Sequence, residues 1–278
     1  MIRITSDTST MYSCAEAKEA GFAVAPLSVT INGKTYREYD DIQPVEFIDI
    51  IKQGHMPTSS QPAIGEVVEL FNSYPGDDIL NISMADGLSG TYQAAESARL
   101  LADHPERITV INSRTLCGPH RYIVENALEM VKKGMTLPAI VRHTEEMMKS
   151  AKSYLVPMDF GYLRRGGRLS PLVSYVGHAV RLVPVMQTTE DGRQISLLGV
   201  KRNFAGALEA ISKNIESCHM DVKHRIYIAH AENPKLAEQA EKMLTARFPR
   251  NVIKVVRLSP AFITQGGPGC VAIQPVHI

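Results

Sequence analysis

The residues best suited to bind or transform a ligand fall into five short polar segments rich in glycines and hydroxyl groups. These segments are residues 6–9 (SDTS), 58–62 (TSSQP), 88–93 (LSGTYQ), 165–168 (RGGR) and 266–269 (GGPG). Serine and threonine hydroxyls in them can donate hydrogen bonds to a carboxylate or phosphate, and Arg165 or Arg168 can add positive charge. Each segment alone also has an ordinary structural explanation, because hydroxyls cap helices and glycines supply special backbone angles.

These segments lack the common catalytic motifs. A serine nucleophile elbow requires G-x-S-x-G, and residues 87–91 have Thr91 in place of the last glycine. The chain has no Walker loop, no G-x-G-x-x-G segment after a predicted strand and no H-E-x-x-H motif. We therefore expect neither a metal nor a cofactor. A serine hydrolase or acyltransferase that uses Ser89 stays open, because the members of a catalytic triad need not be neighbours in sequence.

The predicted secondary structure that positions these segments changes near residue 155, from alternating strands and helices to a pattern with antiparallel strands. Before it, apolar runs alternate with helical patterns, which indicates βαβ units on a parallel sheet, and Asn32-Gly33 predicts a tight hairpin turn. After it, residues 183–189 and 194–198 predict an antiparallel hairpin. The predicted strands of the first half are residues 1–5, 22–31, 78–83 and 107–111. We therefore expect an α/β fold of two closely packed lobes: residues 1–155 with a parallel sheet, and residues 156–278 with mixed or antiparallel strands.

Length and composition narrow the class of protein. The chain has 278 residues, of which 44% are hydrophobic and 21% charged, as in ordinary globular proteins. Its net charge of +1 argues against a nucleic-acid or membrane-surface binder, because both need a concentrated basic field. The four cysteines form no C-x-x-C pair, and we identify neither a signal peptide nor an apolar run long enough to span a bilayer. We expect a cytoplasmic protein with reduced thiols.

Six segments, in this order, resemble the DegV family over about residues 2–277. The matching segments are residues 4–9 (ITSDTS), 59–62 (SSQP), 88–95 (LSGTYQAA), 111–113 (INS), 162–170 (YLRRGGRLS) and 267–269 (GPG). The resemblance implies a two-lobed DegV-like fold with a long-chain fatty acid in a buried cleft between the lobes. It also implies a lipid-binding carrier that is not itself an enzyme. Such a carrier presents the carboxylate to a partner such as the catalytic subunit of a bacterial fatty acid kinase.

The resemblance also assigns residues to the ligand site. Ser59 and Ser89 match positions that hydrogen-bond the carboxylate, and Arg168 and Arg202 match basic positions near the mouth of the cleft. The predicted ligand-binding residues are Ser59, Ser60, Ser89, Gly90, Thr91, Arg168, Arg202, Gln265 and Gly267.

Four positions depart from the family pattern. Ser59 replaces a threonine and keeps the hydroxyl, Asp86 replaces a serine, and Asn112 replaces an aspartate. Gln265 stands where the family usually has histidine, and a glutamine donates a hydrogen bond but carries no titratable proton. We therefore expect head-group recognition to differ from that of other members. A binder of another anionic or phosphorylated small metabolite stays open beside the fatty-acid carrier.

Overall fold

The computed structural model of the chain describes residues 1–171, 182–219 and 223–277. Across these ranges it contains thirteen strands and ten α-helices, as expected for an α/β fold. Among the described residues, no helix combines the length and the apolar character needed to cross a membrane.

The first half of the chain alternates strands with helices. Its elements are β1 (Ile2–Asp7), α1 (Cys14–Ala20), β2 (Ala23–Ala25), β3 (Ser28–Ile31), β4 (Lys34–Arg37), α2 (Pro44–Lys52), β5 (Thr58–Ser60), α3 (Ile64–Asn72), β6 (Asp78–Ser83), α4 (Thr91–Leu101), β7 (Ile108–Asn112), α5 (Cys117–Lys132) and α6 (Leu137–Met148). Four of the strands form a parallel sheet in the order β2-β1-β6-β7, which confirms the predicted βαβ arrangement.

The other three strands of this half form a small antiparallel sheet in the order β4-β3-β5. Asn32 and Gly33 make the β3–β4 turn with φ angles of 50° and 73°, so the predicted hairpin is confirmed. The single strand predicted over residues 22–31 is wrong. Pro26, which has no N–H to donate, falls between β2 and β3, and the two strands join different sheets.

The second half builds one mixed sheet. Its elements are β8 (Tyr154–Val156), α7 (Phe160–Gly166), β9 (Val183–Thr188), β10 (Ile195–Lys201), α8 (Phe204–Ser217), β11 (His224–His230), α9 (Pro234–Arg247), β12 (Val252–Arg257), α10 (Pro260–Gly266) and β13 (Val271–His277). The strand order is β10-β9-β8-β13-β11-β12, with β11 and β12 parallel and the other neighbours antiparallel. The predicted β9–β10 hairpin is confirmed. The lobe boundary at residues 155/156 falls inside β8 and stays a prediction.

Helix α5 joins the two large sheets. Ile123 on α5 is fully buried in the same apolar cluster as Leu80 of the parallel sheet and Tyr227 of the mixed sheet. Gly118 allows this packing, because a Cβ atom at that position would overlap the Tyr227 side chain. The two halves therefore share part of one core, and the loops at the ends of their strands are held in fixed relation.

Candidate functional site

A cavity of about 80 Å³, which we call the site cavity, lies where β5, the loop before α4 and α10 meet. It is lined by Leu27, Ser59, Ser60, Gln61, Met84, Leu88, Ser89, Leu116, Arg168, Ile195, Ala261, Phe262 and Gln265. Five of the predicted ligand residues are therefore brought together from four distant parts of the chain. They are Ser59, Ser60, Ser89, Arg168 and Gln265.

A second cavity of about 70 Å³, which we call the apolar cavity, adjoins the first. The two share five lining residues: Leu88, Leu116, Ile195, Phe262 and Gln265. Beyond these shared side chains the apolar cavity is bounded by residues from β8, β9, α7 and β13, including Leu155, Leu163 and Ala272. The site cavity, with six polar residues among the thirteen in its wall, thus adjoins a more apolar cavity, and four apolar side chains and one amide lie at the junction.

Both cavities are small in this conformation. A cavity of about 150 Å³ is what a single benzene ring requires, and each of these is about half that size. A long acyl chain fits only if the shared side chains move apart and join the two spaces. The polar side chains thus lie mainly in the wall of the site cavity, while the apolar cavity is lined mostly by apolar atoms.

Gln265 and Ser59 are directly coupled. The Gln265 Nε2 atom donates a hydrogen bond to Ser59 Oγ over 3.0 Å, which leaves the Ser59 hydroxyl proton free to be donated into the site cavity. The other amide atom, Gln265 Oε1, is buried without a hydrogen-bond partner among the described residues. It rests against Gly166, where a Cβ atom would overlap it. One glycine of the RGGR segment therefore makes room for this glutamine.

Ser89 precedes the first turn of α4. Its Oγ accepts a hydrogen bond from the Thr91 N–H at 3.3 Å and lies 2.8 Å from Thr91 Oγ1. Gly90 is the N-cap of α4, so the positive end of that helix dipole lies beside the Ser89 hydroxyl. Thr91 is buried and orients Ser89 without lining either cavity. None of the described hydrogen bonds joins Ser89 to a histidine or a carboxylate.

The arginine positions have different surroundings. Arg168 Nε donates to the Leu88 carbonyl oxygen at 3.0 Å, and its guanidinium also donates to the Gly166 carbonyl oxygen. The charge of Arg168 therefore stays beside the site cavity while its donors hold two loops together. Arg202 is exposed between β10 and α8, and neither it nor Gly267 lines either cavity. Their ligand-binding roles stay predictions.

The carboxylate of Asp86 does not line the site cavity. It pairs with Arg193 on the β9–β10 turn at 3.0 Å and faces a separate polar groove that Asn112 also lines. Gly87 permits this contact, because a Cβ atom there would overlap the Arg193 backbone. An anionic head group in the site cavity is therefore not placed directly against Asp86.

One buried acid beside the site was missed in the sequence. Glu38 follows β4 and is fully buried, with one oxygen bonded to the Thr8 hydroxyl and the other accepting from Ala261 N at 2.9 Å. Burial raises the pKa of Glu38 to about 7, partly offset by these hydrogen bonds. Its segment, residues 36–41 (YREYDD), is typical of an exposed hairpin end, so no local signal identifies it.

A second buried cluster links Ser9 and His120. The Ser9 hydroxyl lies 2.6 Å from His120 Nδ1, while His120 Nε2 lies 3.0 Å from the Ile82 carbonyl oxygen. Burial lowers the pKa of His120, so the imidazole is held neutral. Neither residue lines the two cavities, and the described residues contain no group of three or more metal-binding side chains.

The fold and the sequence have close counterparts among known proteins. The family model described as "Uncharacterised protein, DegV family" matches residues 1–277. A DegV domain-containing protein of Listeria innocua is 28% identical over 277 residues, which cover 98% of this chain and 97% of that protein.

Two solved structures share the whole fold. DegV of Bacillus subtilis, a fatty acid binding protein, superposes with a TM-score of 0.87 and 25% identity, covering 100% of this chain and 99% of that one. A fatty-acid-binding DegV family protein of Thermus thermophilus superposes with a TM-score of 0.90 and 23% identity over the same shares of the two chains. The expected α/β architecture is thereby confirmed, and this chain belongs to the DegV family.

Proposed function

We propose that this protein binds a long-chain fatty acid, with the carboxylate in the site cavity and the tail directed into the apolar cavity. The observation that carries the proposal is that the two cavities are adjacent and share five lining side chains. Ser59 and Ser89 supply hydroxyl donors to the carboxylate, and Arg168 supplies the nearby charge. The fatty acids bound by the DegV proteins of Bacillus subtilis and Thermus thermophilus support the same ligand class.

The energetics favour a binder whose affinity comes mainly from the tail. Burying ~14 methylenes at about 0.8 kcal/mol each contributes roughly 11 kcal/mol before costs. Chain ordering and lost translational freedom remove several kcal/mol of this, which still leaves micromolar or tighter binding. Hydrogen bonds to the head group mostly offset its desolvation, so they fix the position of the carboxylate more than they strengthen binding.

We further propose that the protein presents the bound carboxylate to a partner such as a fatty acid kinase catalytic subunit and does not transform it. The support is chemical: the hydrogen-bond partner of Ser89 is Thr91, which is no general base. The hydroxyl groups can hold a head group without activating it. Fatty-acid-dependent ATP consumption by such a kinase, with and without this protein, tests the presentation step.

A second candidate is a binder of a short anionic or phosphorylated metabolite. The observation in its favour is the small volume of the site cavity beside the charge of Arg168. Such a ligand would occupy the site cavity alone and leave the apolar cavity closed. The two candidates therefore differ in whether an apolar tail contributes to affinity.

The test is to extract the purified protein, identify any bound acyl chain by mass spectrometry, and titrate the delipidated protein with palmitate. We expect Ser89→Ala to weaken palmitate binding by about tenfold, the cost of one hydrogen bond to a charged group. Ser217→Ala, an exposed serine at the end of α8, is the matched control and should leave affinity unchanged. Failure to bind palmitate, together with binding of a short phosphorylated metabolite, would favour the second candidate.

A further inference from the structure

Glu38 ties three separate segments together behind the site cavity. Its carboxylate bonds to the Thr8 hydroxyl, just after β1, and accepts a hydrogen bond from Ala261 N in the first turn of α10. Thr8 Oγ1 in turn accepts from Leu27 N at 2.9 Å. Leu27 and Ala261 both line the site cavity. Glu38 is therefore hydrogen-bonded directly to one residue of the cavity wall, Ala261, and through Thr8 to a second, Leu27.

The titratable groups that face Glu38 come from three elements. They are Asp7 at the end of β1, Tyr39 beside it on the hairpin and Cys117 at the start of α5. Burial raises the pKa of the Tyr39 phenol and of the Cys117 thiol well above their usual values, so both are neutral near pH 7. The two oxygens of Asp7 accept from the N–H groups of Ser9 and Met84. Glu38 is therefore surrounded by hydrogen-bond donors, neutral groups and one further acid.

Both protonation states of Glu38 fit this setting. As a carboxylate it accepts from the Thr8 hydroxyl and from Ala261 N. When protonated, it can donate to Thr8 Oγ1 and still accept from Ala261 N through its other oxygen. A proton can thus be gained or lost without breaking the link to α10. Because burial raises the pKa of Glu38 to about 7, the two states are close in free energy near neutral pH.

An anionic head group in the site cavity places a second negative charge near this acid. Like charges in a low-dielectric interior disfavour each other's ionised form, so the bound anion favours protonated Glu38. We propose that binding of an anionic head group in the site cavity is coupled to uptake of a proton by Glu38, so that ligand affinity increases as the pH falls. This inference rests on the proposed function, because it requires an anion in the site cavity.

Calorimetry on the full delipidated chain tests the coupling. Palmitate and hexadecyl sulfonate are titrated near pH 7.5 in buffers of different ionisation enthalpy, and the dependence of the heat on the buffer gives the protons taken up. A one-unit rise in the pKa of Glu38 corresponds to about half a proton per ligand at this pH, and to about tenfold tighter binding well below pH 7 than well above pH 8. The sulfonate head group does not titrate, so its proton uptake belongs to the protein.

Two variants test whether the proton taken up on ligand binding goes to Glu38. Glu38→Gln keeps an acceptor for Ala261 N and a donor for Thr8, and should bind with proton uptake near zero. Glu46→Gln, an exposed glutamate on α2, should behave as the wild type. The coupling would be overturned if the wild type bound the sulfonate without proton uptake, or if proton uptake persisted in Glu38→Gln. Either result would leave the proposed function intact. Absence of palmitate and sulfonate binding at every pH would instead overturn the proposed function.

Discussion

Filling the apolar cavity should stabilise the protein and weaken fatty acid binding together. Ala272 on β13 lines this cavity and is nearly buried, so Ala272→Ile adds three carbon atoms to a space of about 70 Å³. Cavity volume costs about 24 cal/mol per Å³, so complete filling raises the free energy of unfolding by at most about 1.7 kcal/mol. The same atoms displace about three methylenes of a bound tail, which weakens palmitate binding by about 2.4 kcal/mol, or roughly sixtyfold. Urea unfolding of the ligand-free protein and a palmitate titration measure the two effects.

Ala229 on β11 provides the matched control. It pairs directly with Ala272 across the β11–β13 ladder and is fully buried, but it lines neither cavity. Ala229→Ile should therefore overpack the core and destabilise the fold by about 1–3 kcal/mol. Equal destabilisation by the two variants would show that the space beside Ala272 cannot accept extra atoms. A stable Ala272→Ile variant with unchanged palmitate affinity would show that the tail takes another path.

Two further predictions concern proton binding. Glu38 binds its proton more tightly in the folded state, so its contribution to stability is complete below about pH 4.5 and is lost by about pH 7, a change of about 3 kcal/mol. Urea unfolding at pH 5, 6, 7 and 8 should show a flatter profile for Glu38→Gln than for the wild type, and identical profiles would contradict the raised pKa. Gln265→His should introduce a group that becomes cationic below about pH 6.5 beside Ser59. Its palmitate affinity relative to the wild type should therefore be higher at pH 5.5 than at pH 8, and a constant ratio would refute a head-group role for residue 265.

The parts of the fold that depend on local patterns could be predicted from the sequence. The Asn32-Gly33 turn follows from backbone preferences alone, and the parallel sheet follows from alternating strands and helices. The effect of Pro26 was missed, because the apolar run around it looks continuous while the missing N–H divides it between two sheets.

The candidate site also has parts that the sequence predicts and parts that it does not. Its hydroxyl and arginine loops could be named from their motifs, since such segments occur at strand ends and helix starts. Apolar lining residues such as Leu116 and Ile195 could not, because a side chain that faces a cavity and one that faces the core have the same composition and spacing. Glu38 was equally hidden, since its partner Ala261 is 223 residues away in the chain.

The arrangement of the head region bears on how a carrier could release its ligand. The guanidinium of Arg168 donates to two backbone carbonyls, and Ser59 Oγ accepts from Gln265, so part of the hydrogen-bonding capacity of these groups is already used within the protein. In the proposed complex the carboxylate is held by hydroxyl donors and a nearby charge, at about 1.5 kcal/mol per hydrogen bond, while the tail supplies most of the affinity. A partner can then replace the head-group contacts at small cost while the tail stays buried. Proton uptake at Glu38 would strengthen the same complex without adding a direct contact to the ligand, which allows affinity to change with pH while the head-group contacts remain the same.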